Sequence, residues 1–580
     1  MDQHRKKNIS KQKSAAVTKT PARVNDGKWS YFLSLAIIVL SAWFAMSYAL
    51  KCGFVNYDDN LYVYGNLKIR NLSMQSFASF FTGNTGQYPP LVMLMFSALY
   101  SLSGPDPSVY HLANLIFHVV NALLVFYLAS RLNMGQIAAT VAAVLFGAHP
   151  LHVESVAWIT ELKDVQYTFF FLAGLLSYLR YRNDAGRLRY YYLSLALFIL
   201  SCLSKGMAVV FPVALLLTDY YLDGSIPKRR WLEKIPFLAV ALLWGILTLV
   251  TQESMGAVGS SGYFLPRNIL FAAYGLMFYM VKMFVPVNLA AFYPLPAGSG
   301  FSLPAVYYAA LAAVTGLGVL IFYFRKYRIL VFGFLFYAVN LLLVLQIIPV
   351  GMAVTADRYF YLSSVGLFLL IGAGCDYIYG NLKKFRLPVL IIGLALMLLM
   401  VRVSYRQTTT WKDSITLWNN VLQKADSNPR YSLAYLNRGN AYGDAGNTDG
   451  AMNDYNRAIE LNPRNADAYN NRGLIFAVNE NYPEAEKDFS MALSIHPDQA
   501  NALNNRGNVR RFLGDFSGAV EDFSNAIKYK PGYADAYSNR GIVYYISGDP
   551  GRACNDWQKA AELGSPAAAS YIQQYCSGNK

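Results

Sequence analysis

Charge is what this sequence has least of: Asp, Glu, Lys and Arg make up 14% of 580 residues, against 55% hydrophobic. A soluble domain carries about a quarter, so a wholly soluble globular chain is excluded. Cysteine is also scarce. The five present (Cys52, Cys202, Cys375, Cys554 and Cys576) are too few for a disulfide framework and match no CxxC spacing. Acidic residues are missing mainly from the first part of the chain. Residues 1–403 hold 32 Lys+Arg and 15 Asp+Glu, and residues 404–580 hold the remaining 18 and 19 of the totals of 50 and 34. The formal charge of +16 is therefore no nucleic-acid footprint, because the excess sits in short clusters between apolar runs, as in cytoplasmic loops of a polytopic membrane protein.

What is present reads as two all-α parts. A basic tail, 1–28, precedes an apolar run from Trp29 to Leu50 that is long enough to span a bilayer and reads as an uncleaved signal anchor. Apolar segments near 30–50, 109–130, 136–150, 165–182, 190–203, 206–222, 234–251, 303–324, 329–349, 358–379 and 387–403 give about eleven transmembrane helices in a domain over 29–403. With the N-terminus cytoplasmic, the Arg180, Lys228, Arg325 and Lys383 clusters all face the cytoplasm, provided that 267–285 lies along the outer face or re-enters. The outer side then receives the loop 51–88 and everything from 404 to 580.

That last part repeats. Gly439, Gly473, Gly507 and Gly541 recur every 34 residues inside Asn-Arg-Gly, the period of tetratricopeptide repeats, which stack as an α-solenoid. Asn437, Asn471, Asn505 and Asn539 recur with them. A row of amides can hydrogen-bond an extended acceptor peptide, or it can hold the repeat together. Cys554 and Cys576 fall in the last repeat and its terminal helix, paired in an oxidising compartment or left as two buried thiols.

Candidate chemistry lies near the outer face, where charge is costly to place. Asp58 and Asp59 follow the first span directly; a carboxylate there can serve as general base, two can hold a divalent cation, and a solvated turn explains the pair equally. His149, His152 and Glu154 close the third span, while Glu161, Lys163 and Asp164 open the fourth. Two His and a Glu can ligate zinc; a hydrogen-bonded cap presenting Lys163 to a phosphate, or interhelical polar glue, also fits. Lys205 and Arg358 add positive charge to the same side, so the cations together suit an anionic lipid head group.

The order Phe54-Val55-Asn56-Tyr57-Asp58-Asp59, Tyr110-His111-Leu112-Ala113-Asn114 with His118, His149-Pro150-Leu151-His152-Val153-Glu154-Ser155-Val156-Ala157-Trp158, Lys163-Asp164, Ser204-Lys205-Gly206, Pro286-Val287-Asn288, Phe292-Tyr293-Pro294 and Asp357-Arg358-Tyr359 ahead of the repeats resembles bacterial relatives of the transmembrane and tetratricopeptide-repeat (TMTC) O-mannosyltransferases. The resemblance implies a GT-C fold and, at the periplasmic face of a bacterial inner membrane, transfer of a mannose-like sugar from a polyprenyl-phosphate donor to protein Ser/Thr hydroxyls. It implies Asp58 as base, with Asp59 as its support or a metal contact. His149, His152, Glu154, Lys163, Asp164, Lys205 and Arg358 fall to the donor, and Asn437, Asn471, Asn505 and Asn539 to the acceptor. Two departures each remove a cation: Pro89 stands where relatives commonly show Arg or His, and Leu162 where they show Arg. A non-catalytic envelope scaffold and a glycan ligase or polymerase with the same donors are the rival functions.

Overall fold

The computed structural model describes residues 28–71, 73–82, 89–183, 187–254, 265–296, 303–348, 351–425 and 427–576, so the basic tail and the end of the outer loop lie outside the described residues. The chain divides into two compact units, Met1–Asp413 and Ser414–Lys580. The boundary falls beyond 404 because the last apolar helix, Arg386–Thr408, continues past the apolar segment and ends in a 3-10 turn at Trp411.

In the first unit every apolar segment read from the sequence is helical. Among the described residues seven helices are long and apolar enough to cross a membrane, including Lys28–Lys51, Pro107–Arg131, Asp357–Asn381 and Lys383–Trp411. An eighth is obtained if Gln136–Ala148 and Pro150–Ala157, bent by 52°, form one span. This is a multi-pass membrane protein. The count falls below eleven for physical reasons. Leu188–Ser204 and Arg328–Val344 are short. Leu162–Asn183 carries Lys163 and Asp164 at one end and Arg180 and Arg182 at the other, leaving a short apolar middle. Leu265–Phe284 is a full helix that is not among the seven.

The interior of this unit is laced by side chains that satisfy the backbone where helices break. His118 Nε2–H donates to the Gly147 carbonyl at 2.9 Å, Asn121 Nδ2 to the Val165 carbonyl at 2.8 Å, and Asn114 Nδ2 to the Trp158 carbonyl at 3.0 Å. The motif residues of Pro107–Arg131 thus brace the irregular stretch between Ala148 and Leu162. An antiparallel pair, Tyr293–Pro294 with Ala353–Thr355, leads into Asp357 and Arg358. Tyr279 Oη donates to the Ala356 carbonyl at 2.9 Å and accepts from its N–H at 3.1 Å, fixing that entry.

The second unit is a run of helix pairs: Ser432–Asp444 with Thr448–Leu461, Ala466–Val478 with Tyr482–Ile495, Ala500–Leu513 with Phe516–Tyr529, and Ala534–Ile546 with Pro550–Glu562. Each member of Asn-Arg-Gly has a definite task. The Arg makes a bidentate pair with an Asp sixteen residues on, as in Arg472–Asp488 at 2.7 Å through both Nε and Nη2, and reaches a polar side chain of the preceding repeat. The Gly admits an aromatic ring from the partner helix. A Cβ at Gly507 would lie 2.8 Å from Phe523 Cε1, inside van der Waals contact. Gly507→Ala should therefore cost the repeat about 1–3 kcal/mol of overpacking, offset by about 1 kcal/mol of helix propensity. Hydrogen exchange of the full chain should show faster opening confined to Ala500–Tyr529; unchanged protection there would refute the close-packing account.

The Asn residues serve the array itself. Nδ2 of Asn471, Asn505 and Asn539 donates to Asn440, Asn470 and Asn504 of the preceding repeat at 2.8, 3.0 and 2.9 Å. Each of these three amides thus commits one N–H to stacking, because neighbouring helices bring equivalent positions within hydrogen-bond reach.

Cys554 and Cys576 are joined by a disulfide, with Cα atoms 5.8 Å apart. Closing 22 residues is worth about 3 kcal/mol in the chain-entropy account. Cys554→Ser should expose Cys576 to alkylation and loosen Pro550–Tyr571, read as faster proteolysis at the C-terminus; wild-type resistance in the variant would contradict this.

Candidate active site

Pro150 ends the helix Gln136–Ala148, and the chain then runs through a 3-10 turn (Pro150–His152), a five-residue helix (Val153–Ala157) and a second 3-10 turn (Ile159–Glu161) before Leu162–Asn183. This broken path sets Glu154, Trp158, Glu161, Lys163 and Asp164 around one point. Lys205, at the break between Leu188–Ser204 and the 3-10 turn Gly206–Val210, arrives from a second direction. Arg358, just past the strand Ala353–Thr355, arrives from a third.

Glu161 joins the three cations. Its Oε1 is 3.3 Å from Lys163 Nζ and 3.5 Å from Arg358 Nε, and its Oε2 is 3.3 Å from Lys205 Nζ. Lys205 also pairs with Asp164, which accepts from Ser155 Oγ at 3.2 Å. Arg358 binds Glu154 twice, through Nη1 at 2.5 Å and its backbone N–H at 3.0 Å. Trp158 lies beneath these groups: Arg358 is 5.4 Å and Lys163 5.6 Å from its ring, while Tyr57 stacks on it at 4.6 Å and Trp411 at 5.7 Å. Cations against an aromatic face in a dry site gain attraction without neutralising any carboxylate.

The two aspartates part company. Asp59 is buried and its carboxylate accepts from Val55 N–H at 2.9 Å, Thr160 N–H at 3.1 Å and Thr160 Oγ1 at 2.5 Å. It therefore pins the outer loop to the turn that carries Thr160 and Glu161. Burial pushes its carboxyl up to about 6 in spite of those three hydrogen bonds. Asp58 is half-buried and within electrostatic reach of Lys163, Glu161 and Arg358. Burial raises its proton affinity most, Lys163 and Arg358 pull it down, Glu161 pushes it up, and the net shift is upward.

Asp59→Asn should leave at least one of the three donors without an acceptor, at about 1–3 kcal/mol. Proteolysis within 51–71 should accelerate while the repeats keep their native protection; equal resistance in the variant would dissociate Asp59 from the loop.

His149 and His152 do not join the cluster. Both are fully buried, and each ring is committed at both nitrogens: His149 to the Met283 carbonyl (2.9 Å) and the Leu151 N–H (3.2 Å), His152 to the Phe146 carbonyl (2.7 Å) and Ser364 Oγ (3.1 Å). Neither is placed to bind donor or zinc. Burial disfavours a charged imidazole, and the His-Pro-Leu-His stretch does structural work at the helix break. Among the described residues no three His, Cys, Asp or Glu side chains are grouped to hold a metal ion. Leu162 is buried in the core and adds no cation to the cluster. Glu161 was visible in the sequence as a charge at the outer face but not as the centre, because its partners lie 44 and almost 200 residues further along the chain.

Comparison with known proteins accounts for both units. Residues 87–253 match the dolichyl-phosphate-mannose-protein mannosyltransferase family, and residues 439–479, 466–499 and 507–548 match tetratricopeptide repeats. Protein O-mannosyl-transferase F38B6.6 of Caenorhabditis elegans is 26% identical over 64% of this chain and 54% of its own length. The chain is similar to these O-mannosyl-transferases. Human protein O-mannosyl-transferase TMTC3 is 32% identical over 21% of this chain and 14% of its own length. The chain thus spans about half the length of the worm relative and a small part of the human one. A crystal structure of MamA aligns with 27% of this chain and 90% of its own, at 24% identity and a TM-score of 0.24.

Proposed function

We propose that the protein is a glycosyltransferase that moves a mannose-like sugar from a polyprenyl-phosphate donor to Ser or Thr hydroxyls of a protein acceptor. The observation that carries this reading is Asp58 lying within electrostatic reach of Lys163 and Arg358, two cations that share Glu161 with Lys205 in one largely buried cluster. Asp58 takes the proton of the acceptor hydroxyl, whose oxygen bonds to the anomeric carbon as the bond from that carbon to the phosphate oxygen breaks. Attack opposite the leaving group inverts the configuration. The phosphate departs with the bonding electron pair toward the cations, whose fixed positions in a water-poor site stabilise the developing charge. A base with raised proton affinity suits the task, since it holds the abstracted proton more firmly.

The repeats recruit the acceptor, as stacked helix pairs do for extended chains. The setting is a bacterial inner membrane, with the N-terminus cytoplasmic and the cluster and repeats periplasmic. Support for the oxidising side comes from the Cys554–Cys576 disulfide. Alkylating intact protein from its native membrane before reduction should leave both cysteines unmodified; modification of both in native protein would move the repeats to a reducing compartment.

A second reading, a non-catalytic membrane scaffold, draws on the ion balance: Glu154, Glu161 and Asp164 already neutralise three cations, and Leu162 supplies no fourth. Transfer assays with polyprenyl-phosphate mannose decide between the two. Label reaching Ser/Thr of an acceptor with wild type supports the enzyme, and its absence beside undiminished capture of a partner by the full-length protein supports the scaffold.

A further inference from the structure

One carboxylate of the cluster is held unlike the others. Arg358 has Glu154 at 2.5 Å, and Lys205 has Asp164 at close range. Glu161 faces both of these paired cations and Lys163 as well. Its contacts of 3.3, 3.3 and 3.5 Å are all longer than the roughly 2.7–2.9 Å of a tight charge-assisted hydrogen bond. It stands at the focus of three cations, two of which hold another carboxylate more closely. It also immediately precedes Leu162–Asn183, a 22-residue helix whose first-turn N–H groups favour a negative charge. Beside it Trp158, flanked by Lys163 and Arg358, keeps a buried Nε1–H with no acceptor among the described residues. That is a donor in reserve. A carboxylate offers two oxygens and one charge, which matches the phosphodiester of a lipid-linked sugar, while the monophosphate left when the sugar departs offers three oxygens and about −1.5 to −2.

We propose that Glu161 is a built-in substitute for the donor's phosphate, holding Lys163, Lys205 and Arg358 together while the site is empty and giving way when a lipid-linked phosphate arrives. The inference rests on the donor reading under Proposed function. Glu161 is ionised whenever the protein is folded at ordinary pH: burial pushes its carboxyl up, but Lys163, Lys205 and Arg358 more than offset this and hold it well below the usual carboxylate range. The competition is therefore permanent. An incoming anion has to outbid a tethered carboxylate, and a phosphate carried on a lipid that anchors it in the membrane can do so where a free monovalent anion cannot.

The test uses full-length protein in lipid nanodiscs and a polyprenyl monophosphate probe, the product left when the sugar departs. Glu161→Gln keeps the shape and removes the charge, so the probe should bind at least about tenfold tighter, a gain of about 1.4 kcal/mol. Glu161→Asp keeps the charge but draws it back from the cations, so binding should be several-fold tighter than wild type; this variant decides the matter if the Gln variant does not fold. Equal or weaker binding in the folded variants overturns the inference while leaving the donor reading standing. No binding by wild type or by either variant overturns both. Inorganic phosphate at millimolar concentration should fail to displace the probe; displacement would show that the site takes free phosphate and would overturn the lipid-linked assignment.

Discussion

Asp58→Asn should abolish sugar transfer, lowering the rate by at least about 10²–10⁴-fold, while expression, the Cys554–Cys576 disulfide and the thermal midpoint stay near wild type. Asn keeps the volume of the side chain and removes its capacity to accept a proton. Asp58 is half-buried beside charged neighbours and burial raises its proton affinity, so neutralising it relieves a cost and should not unfold the protein. The wild-type pH profile carries the same signature. Because the folded pKa lies above the ordinary carboxylate value, the rate should begin to fall as pH is lowered sooner than for an ordinary carboxylate, with the loss following protonation of one group. A variant that retains full transfer would remove the proposed base.

Arg358→Ala should do two kinds of damage. It leaves Glu154, 3% exposed, with the backbone N–H of position 358 but without the guanidinium that balances its charge, and removing one partner of a buried ion pair costs about 3–5 kcal/mol. It also withdraws a cation from the phosphate position. Arg358→Lys separates the effects. A lysine retains charge but not the fork that reaches Glu154 and Glu161 together, so the variant should fold with a modest loss of stability yet bind polyprenyl monophosphate weakly and transfer slowly. Thermal unfolding and probe binding, measured on both variants, check this. A Lys variant with wild-type binding would reduce Arg358 to a structural role.

The sequence disclosed most about elements whose signal is local. The 34-residue spacing of Gly439, Gly473, Gly507 and Gly541 exposes the repeats because each Gly meets a ring sixteen residues later within the same helix pair. The first span and the last two apolar helices are long enough to read from hydropathy alone. The site is another matter. Asp58, Lys163, Lys205 and Arg358 were legible as charges where charge is expensive, and the fold brings them together. Their ordering was not legible. Glu161 gains its place from residues brought in by three separate helix breaks, and Asp59 differs from Asp58 only because Thr160, 101 positions away, folds back onto it. His149 and His152 mislead for the converse reason: an imidazole at a helix break looks like a ligand in one dimension, yet a dry break with exposed carbonyls consumes both ring nitrogens. The Asn ladder reads as a binding surface in one dimension, and stacking commits one N–H of three of its amides.

The central claim is that the ion cluster and the repeats serve one reaction and so face one compartment. Cysteines introduced at Leu67 and Lys487, both well exposed, can be probed in sealed vesicles of known orientation with a membrane-impermeant thiol reagent. The account predicts that both positions label from the same side, opposite a cysteine placed in the basic N-terminal tail. Labelling of Leu67→Cys and Lys487→Cys from opposite sides would contradict it.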